Sequence, residues 1–109
     1  MKRGDVVIVS APGDFGKPRP AVIIQSDAFN ETHDSITVCL LTTTIIAAPI
    51  FRLDVQPSPQ NGIQRASQIM IDKMLTVRRA KLGEPIGMLD DDTMLRVNRS
   101  IAVWLGLGG

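Results

Sequence analysis

The sequence predicts a mainly β fold with one C-terminal helix, a small and strongly bent sheet or partly open barrel. Three observations carry this. Five short segments rich in apolar and β-branched residues are separated by stretches rich in Pro, Gly and Asn. The hydrophobic period turns helical only near the C-terminus. The 109 residues contain no internal repeat and no linker, so a single domain over 1–109 is expected.

Taken in order, "DVVIVS" (5–10) reads as a buried strand. "APGDFGKPRP" (11–20) is a loop, with three prolines and two glycines in ten residues. "AVIIQS" (21–26) is the second strand and "DAFNETHDS" (27–35) a polar connection. "ITVCLLTTT" (36–44) is a third strand, apolar and then abruptly threonine-rich. "IFRLDV" (50–55) alternates, with Arg52 and Asp54 on one face and Phe51, Leu53 and Val55 on the other. "QPSPQNG" (56–62) is a turn or loop. "ASQIMIDKM" (66–74) is a fifth strand, setting Gln68, Met70 and Asp72 opposite Ser67, Ile69 and Ile71. Met94, Val97, Ile101 and Trp104, with Leu105 adjoining, then recur at helical spacing. Asp90 is placed as N-cap, Asp91 and Asp92 complement the positive end of the dipole, and Leu89 can staple onto Met94. Gly106, Gly108 and Gly109 end the helix.

Composition narrows the chemistry. No apolar run approaches bilayer length and the N-terminus has no signal-peptide apolar core, so a cytoplasmic address away from membranes is expected. The one cysteine, Cys39, allows no internal disulfide and falls in an apolar run, as a small core residue would. With His33 as the one histidine, a zinc site of ordinary type cannot be built. Composition leaves a carboxylate-bound Mg²⁺ open, but the one carboxylate cluster, Asp90–Asp92, serves better as a helix start; no metal and no cofactor are expected. A net charge of +1 creates no global field for a polyanion, so any such binding needs a local patch. Three Phe, one Trp and no Tyr leave little surface for stacking bases.

Five stretches in this order resemble the MazF/PemK toxins of bacterial toxin–antitoxin pairs: "KRGDVVIV", "GKPRPAVIIQSDAFN", "VCLLTTT", "SQIMIDKMLTV" and "KLGEPIGMLDDDTMLRVNRSIAVWLGL". The resemblance covers nearly the whole chain. It implies an SH3-like barrel of the MazF/CcdB toxin type and a homodimer. It implies a metal-independent endoribonuclease that cuts single-stranded RNA at short sequences. It also implies inhibition by a cognate antitoxin whose acidic, flexible tail fills the RNA groove, in a complex that binds operator DNA through the antitoxin.

RNA carries its own nucleophile, the 2′-hydroxyl, so cleavage needs neither a protein nucleophile nor a metal. It needs a proton acceptor, charge for the phosphorane and help for the departing 5′-oxygen. Arg19, set between Pro18 and Pro20, can give two parallel hydrogen bonds to phosphate; read alone it could equally cap a surface loop. The resemblance makes it catalytic through the Arg19-Pro20 motif. The resemblance also puts a catalytic threonine at the end of the third strand. Aligning "ITVCLLT" selects Thr42, with the register open across Thr42–Thr44. Some members use an aspartate at the position of Asp72 as general base, with an arginine two residues earlier where this chain has Met70. Lys73 and Leu75 depart from the family pattern as well, and Asp72 could instead pair with Lys73 or Arg79. Lys17, Thr43 and Gln68 are expected to join Arg19 in holding RNA. His33 reads as a solvated loop residue. Trp104 reads as core or dimer packing, although "VWLGLGG" is similar to the ending through which CcdB toxins act on DNA gyrase. A gyrase-binding toxin and a non-catalytic RNA- or protein-binding barrel are the competing readings.

Overall fold

In the computed structural model, which describes residues 1–10 and 17–107, the strands are β1 (Asp5–Val9), β2 (Arg19–Ile23), β3 (Ser35–Thr42), β4 (Arg52–Val55), β5 (Ser67–Arg78) and β6 (Gly87–Met88). A one-turn helix α1 (Asp27–Asn30) follows β2, a 3₁₀ turn spans Arg79–Lys81, and α2 (Asp91–Trp104) comes last. All neighbouring strands are antiparallel, in the order β4-β5-β3-β2-β1-β6. The sheet curls into a half-barrel, as the mainly β expectation required.

Strand periodicity sorts the apolar residues into two layers. Val6, Val22, Cys39, Leu41, Ile69 and Ile71 share one cluster, which Leu89, Met94, Val97 and Ile101 of the α2 region complete. Val7, Val9, Ala21, Ile23, Ile36, Val38, Leu40 and Met70 form the other, on the opposite face. With apolar side chains on both faces, β1–β3 read as nearly continuous hydrophobic runs. Each fully buried aliphatic side chain contributes about 1.5–3 kcal/mol by removal from water.

The curl has a local cause in β5. Its first residues pair with β4 (Arg52↔Met70 to Val55↔Ser67) and with the end of β3 (Leu41↔Ile69, Thr42↔Gln68). Its later residues pair with β3 from Cys39↔Met74 to Ser35↔Arg78. Between Ile69 and Met74 the strand carries extra residues that oppose only Leu40, a bulge that bends it and raises its twist.

Several boundaries differ from expectation. β2 begins at Arg19, so Arg19 and Pro20 belong to a strand and not to the preceding loop, whose residues 11–16 lie outside the described residues. β3 stops at Thr42, leaving Thr43 and Thr44 beyond it. β5 continues to Arg78 because β3 supplies a partner along its whole length. The polar connection holds α1, N-capped by Ser26, whose Oγ accepts from the Ala28 N–H. Asp90 is the N-cap of α2 as expected, yet its side chain makes no capping hydrogen bond. The aspartates therefore act through the dipole, and Leu89, 3% exposed, supplies the staple. Trp104 is 47% exposed, which sets aside the core half of the core-or-dimer expectation; its ring lies 5.3 Å from that of Phe51.

Gly62 and Gly106 both have left-handed backbone, at φ +68° and +74°. A Cβ at Gly62 would overlap the Ile86 carbonyl, whereas one at Gly106 meets nothing within 4 Å. Gly106→Ala is expected to cost at most about 1–2 kcal/mol, the left-handed penalty alone. Gly62→Ala is expected to cost more, by denaturant titration of both variants. Equal costs would contradict the crowding at Gly62.

Candidate active site

The ladder between β2 and β3 runs from Ile23↔Val38 to Ala21↔Leu40 and stops there. The next residue of β2 is Pro20, which has no N–H to carry it further. On its other side β2 stays paired to β1 as far as Val9↔Arg19. Arg19 is thus held by one neighbour and released by the other. Continuing the β2–β3 register by two residues sets Arg19 across from Thr42, on the same face. A cleft of about 270 Å³ opens there, lined by Lys17–Pro20 from β2 and the residues before it, by Leu41–Thr44 from the end of β3, and by Ser67.

Arg19 is half-buried, while Lys17 and Thr43 are exposed on the same cleft. Thr42 Oγ1 accepts a hydrogen bond from the Thr44 N–H at 3.1 Å. That bond occupies one oxygen lone pair of Thr42, and Thr42, Thr43 and Thr44 all line the cleft. The Thr42 hydroxyl can still donate one bond and accept another. An adjoining hollow, lined by Ile8, Ile63, Gln64, Arg65 and Ile86, shares Pro20, Thr43 and Ser67 with the cleft.

Two expected site residues have other occupations. Gln68 is 3% exposed, and both ends of its amide are used inside the protein. Its Oε1 accepts from the Ile46 N–H at 3.2 Å, and its Nε2 donates to the Ile46 carbonyl and to Asp54 Oδ1, each at 2.9 Å. Both its donors are spent inside the protein, and Gln68 does not line the Arg19–Thr42 cleft. Asp72 pairs with neither Lys73 nor Arg79. Arg52 Nε donates to its Oδ1 at 2.8 Å and Nη2 to its Oδ2 at 3.0 Å, a two-point grip. Arg79 donates instead to the Asn30 and His33 carbonyls. The hydrogen bonds from Arg52 hold the Asp72 carboxyl below its ordinary value, against an opposing push from partial burial. The same contact raises Arg52. Asp72 sits in the β5 bulge and does not line the Arg19–Thr42 cleft.

The remaining candidates lie elsewhere. His33 is exposed just before β3, at the opposite end of that strand from Thr42. Cys39 is fully buried, and burial pushes its thiol up to about 12. Among the described residues no group of three or more His, Cys, Asp or Glu is placed to hold a metal ion. Sequence reasoning missed Ser67 at the cleft and Arg52 as the partner of Asp72. The alternation of "IFRLDV" and "SQIMID" set Arg52 and Asp72 on polar faces; the pairing Arg52↔Met70 brings those faces together.

A family model described as PemK-like, MazF-like toxin of type II toxin–antitoxin systems matches residues 2–105. The chain is 42% identical to the probable endoribonuclease MazF of Mycolicibacterium smegmatis over the full length of both. It is 30% identical to the endoribonuclease MazF of Staphylococcus saprophyticus, covering 98% of this chain and 92% of that one. Among solved structures it is similar to an endoribonuclease from a mycobacterial species in complex with its cognate antitoxin. There the TM-score is 0.82 at 25% identity, over 100% of this chain and 98% of that one.

The Asp72 grip makes a stability prediction. Because the folded carboxyl lies below the unfolded value of about 3.8, the pair stabilises the fold fully above that pH. As pH falls below about 3.8 the unfolded chain takes up the proton first, and the contribution is lost through the lowered folded value. Wild type should therefore lose more stability than Asp72→Asn on acidification in that range, by urea titration at stepped pH. Parallel curves would contradict it.

Proposed function

The chain belongs to the PemK-like, MazF-like toxin family of type II toxin–antitoxin systems, and we propose that it is the endoribonuclease toxin of such a pair, cutting single-stranded RNA. The observation that carries this reading is the cleft that sets one guanidinium, Arg19, across from one hydroxyl, Thr42. The endoribonuclease names of its full-length relatives support it.

The reaction is an internal transesterification. The 2′-oxygen attacks the adjacent phosphorus, the bond to the 5′-oxygen breaks, and the products are a 2′,3′-cyclic phosphate and a 5′-hydroxyl. The proton released by the 2′-hydroxyl is matched by the one the 5′-oxygen gains. Arg19 holds the phosphate bidentately and stabilises the charge that grows on its oxygens. Thr42 takes the hydrogen bond of the 2′-hydroxyl and passes its own to phosphate. Of the two candidates for that proton, Thr42 stands in the cleft, whereas Asp72 is away from it and made a weaker base by Arg52. Asp72 is therefore structural in this reading. Lys17 and Thr43 hold the backbone of the strand, a local patch that serves despite a net charge of +1.

The acidic tail of a cognate antitoxin would occupy the same cationic cleft. The antitoxin-bound neighbour supports an antitoxin partner. A homodimer is supported by exposed apolar residues around the Phe51–Trp104 ring pair: Ile50, Val103, Leu105 and Leu107. Operator DNA would be engaged through the antitoxin. No helix of the described chain is long and apolar enough to cross a membrane, and a cytoplasmic site of action agrees with an RNA target.

Two outcomes check the reading. Arg19→Ala should lower cleavage on the order of 10²–10³-fold, and Arg19→Lys should restore only part because the two-point geometry is lost. Mapping 5′-hydroxyl ends on a long RNA measures both; intact RNA with wild type, or full cleavage by Arg19→Ala, would end the proposal. Lys17→Ala should weaken RNA binding and reduce its log–log salt slope by about one, with kcat little changed.

A further inference from the structure

Residues 43–51 leave the sheet immediately after Thr42 and rejoin it at β4. Thr43 to Ala47 are exposed along this path. Yet the segment must be held, because the Thr44 N–H is the group that fixes Thr42 Oγ1. The Gln68 amide does the holding. It receives the Ile46 N–H and returns a bond to the Ile46 carbonyl, so that one side chain imitates a strand partner for one loop residue. Among the described residues no other hydrogen bond ties 45–47 to the sheet. Gln68 is itself anchored at the Asp54 carboxylate, and it stands directly opposite both Thr42 on β3 and Asp54 on β4.

We infer that Gln68 is a positioning residue for the reaction: by clasping Ile46 it keeps the Thr44 N–H on Thr42 Oγ1 and so orients the Thr42 hydroxyl into the cleft. The inference rests on the nuclease reading of that cleft. The clasp needs a donor and an acceptor on one planar group, which a glutamine has and an ionised glutamate lacks. A carboxylate in its place would also face Asp54 across the 2.9 Å now bridged by an N–H. Protonating that carboxyl would return one donor.

The test uses the whole protein, a fluorogenic single-stranded RNA and amide hydrogen exchange, on wild type, Gln68→Met and Gln68→Glu. Gln68→Met keeps the length and loses all three bonds, the two to Ile46 and the one to Asp54. Its kcat should fall on the order of 10- to 100-fold with KM nearly unchanged, and exchange at Thr44 and Ile46 should quicken. Gln68→Glu should be slow at neutral pH and recover, relative to wild type, as the pH is lowered. That recovery is a readout that simple loss of packing would not produce, and it keeps the test decisive should Gln68→Met fold poorly. An unchanged kcat in Gln68→Met would overturn the inference. So would a raised KM at constant kcat, which would make Gln68 an RNA contact. So would a Gln68→Glu profile parallel to wild type. If wild type itself leaves RNA intact, the nuclease reading fails, and unchanged exchange at Ile46 in Gln68→Met would then refute the clasp separately.

Discussion

The early end of the β2–β3 ladder is the constraint on which the site depends. Were the two strands paired to their tips, Arg19 and Thr42 would face each other across a closed hydrogen-bonded edge with no room for a phosphate. Pairing stops at Ala21↔Leu40, and Pro20 supplies no N–H with which to resume it. The β1 ladder continues to Arg19 on the other side, so the arginine keeps a strand's rigidity while lining the cleft. A guanidinium placed this way loses little conformational freedom when it meets an anion, which is where preorganised charge is most effective. Pro18 adds to this by restricting Lys17 to extended backbone.

A second irregularity, the β5 bulge, keeps structural and chemical duties apart. It lets one strand serve β4 with its first residues and β3 on both sides of the bulge, and it curls the sheet. Asp72 falls in that bulge, where Arg52 of β4 grips it from the neighbouring strand. The ion pair is partly buried, with both side chains about one-seventh exposed, so breaking it would leave an uncompensated charge in a poorly hydrated place. An aspartate so held is suited to fixing strand geometry and poorly suited to exchanging protons. Gln68, a few residues earlier on β5, has the complementary duty of tying the loop after Thr42 to the same scaffold.

Much of this was legible in the sequence, for physical reasons that can be named. The strands announced themselves through β-branched residues, and α2 through its period and acidic first turn. Arg19 stood out because two prolines flank it. What could not be read was what depends on a distant partner. Whether Arg19 is loop or strand is decided by Val9, and how far β5 extends is decided by β3. That Thr42 ends β3 opposite Gln68 and accepts the Thr44 N–H is likewise decided by partners and not by the run of three threonines. Whether Asp72 exchanges protons or fixes structure could not be read, because its partner lies twenty residues back, on a strand whose register no local pattern discloses. The bonds of Gln68 to Ile46 could not be read either, since they depend on the path that residues 43–51 take after leaving the sheet. The modest net charge misled least, since it only demanded that the cationic groups be gathered, as Lys17 and Arg19 are.

The measurement that bears most directly on the central claim is NMR titration of the ¹⁵N-labelled protein with a single-stranded RNA carrying 2′-O-methyl groups throughout, which can bind but cannot be cut. The largest shifts should fall on the Arg19 side-chain N–H and on the Thr42 and Thr43 amides. The Arg52 side-chain N–H and the Asp72 amide should stay in place. Shifts centred on Arg52 and Asp72, with Arg19 and Thr42 unmoved by saturating RNA, would contradict it.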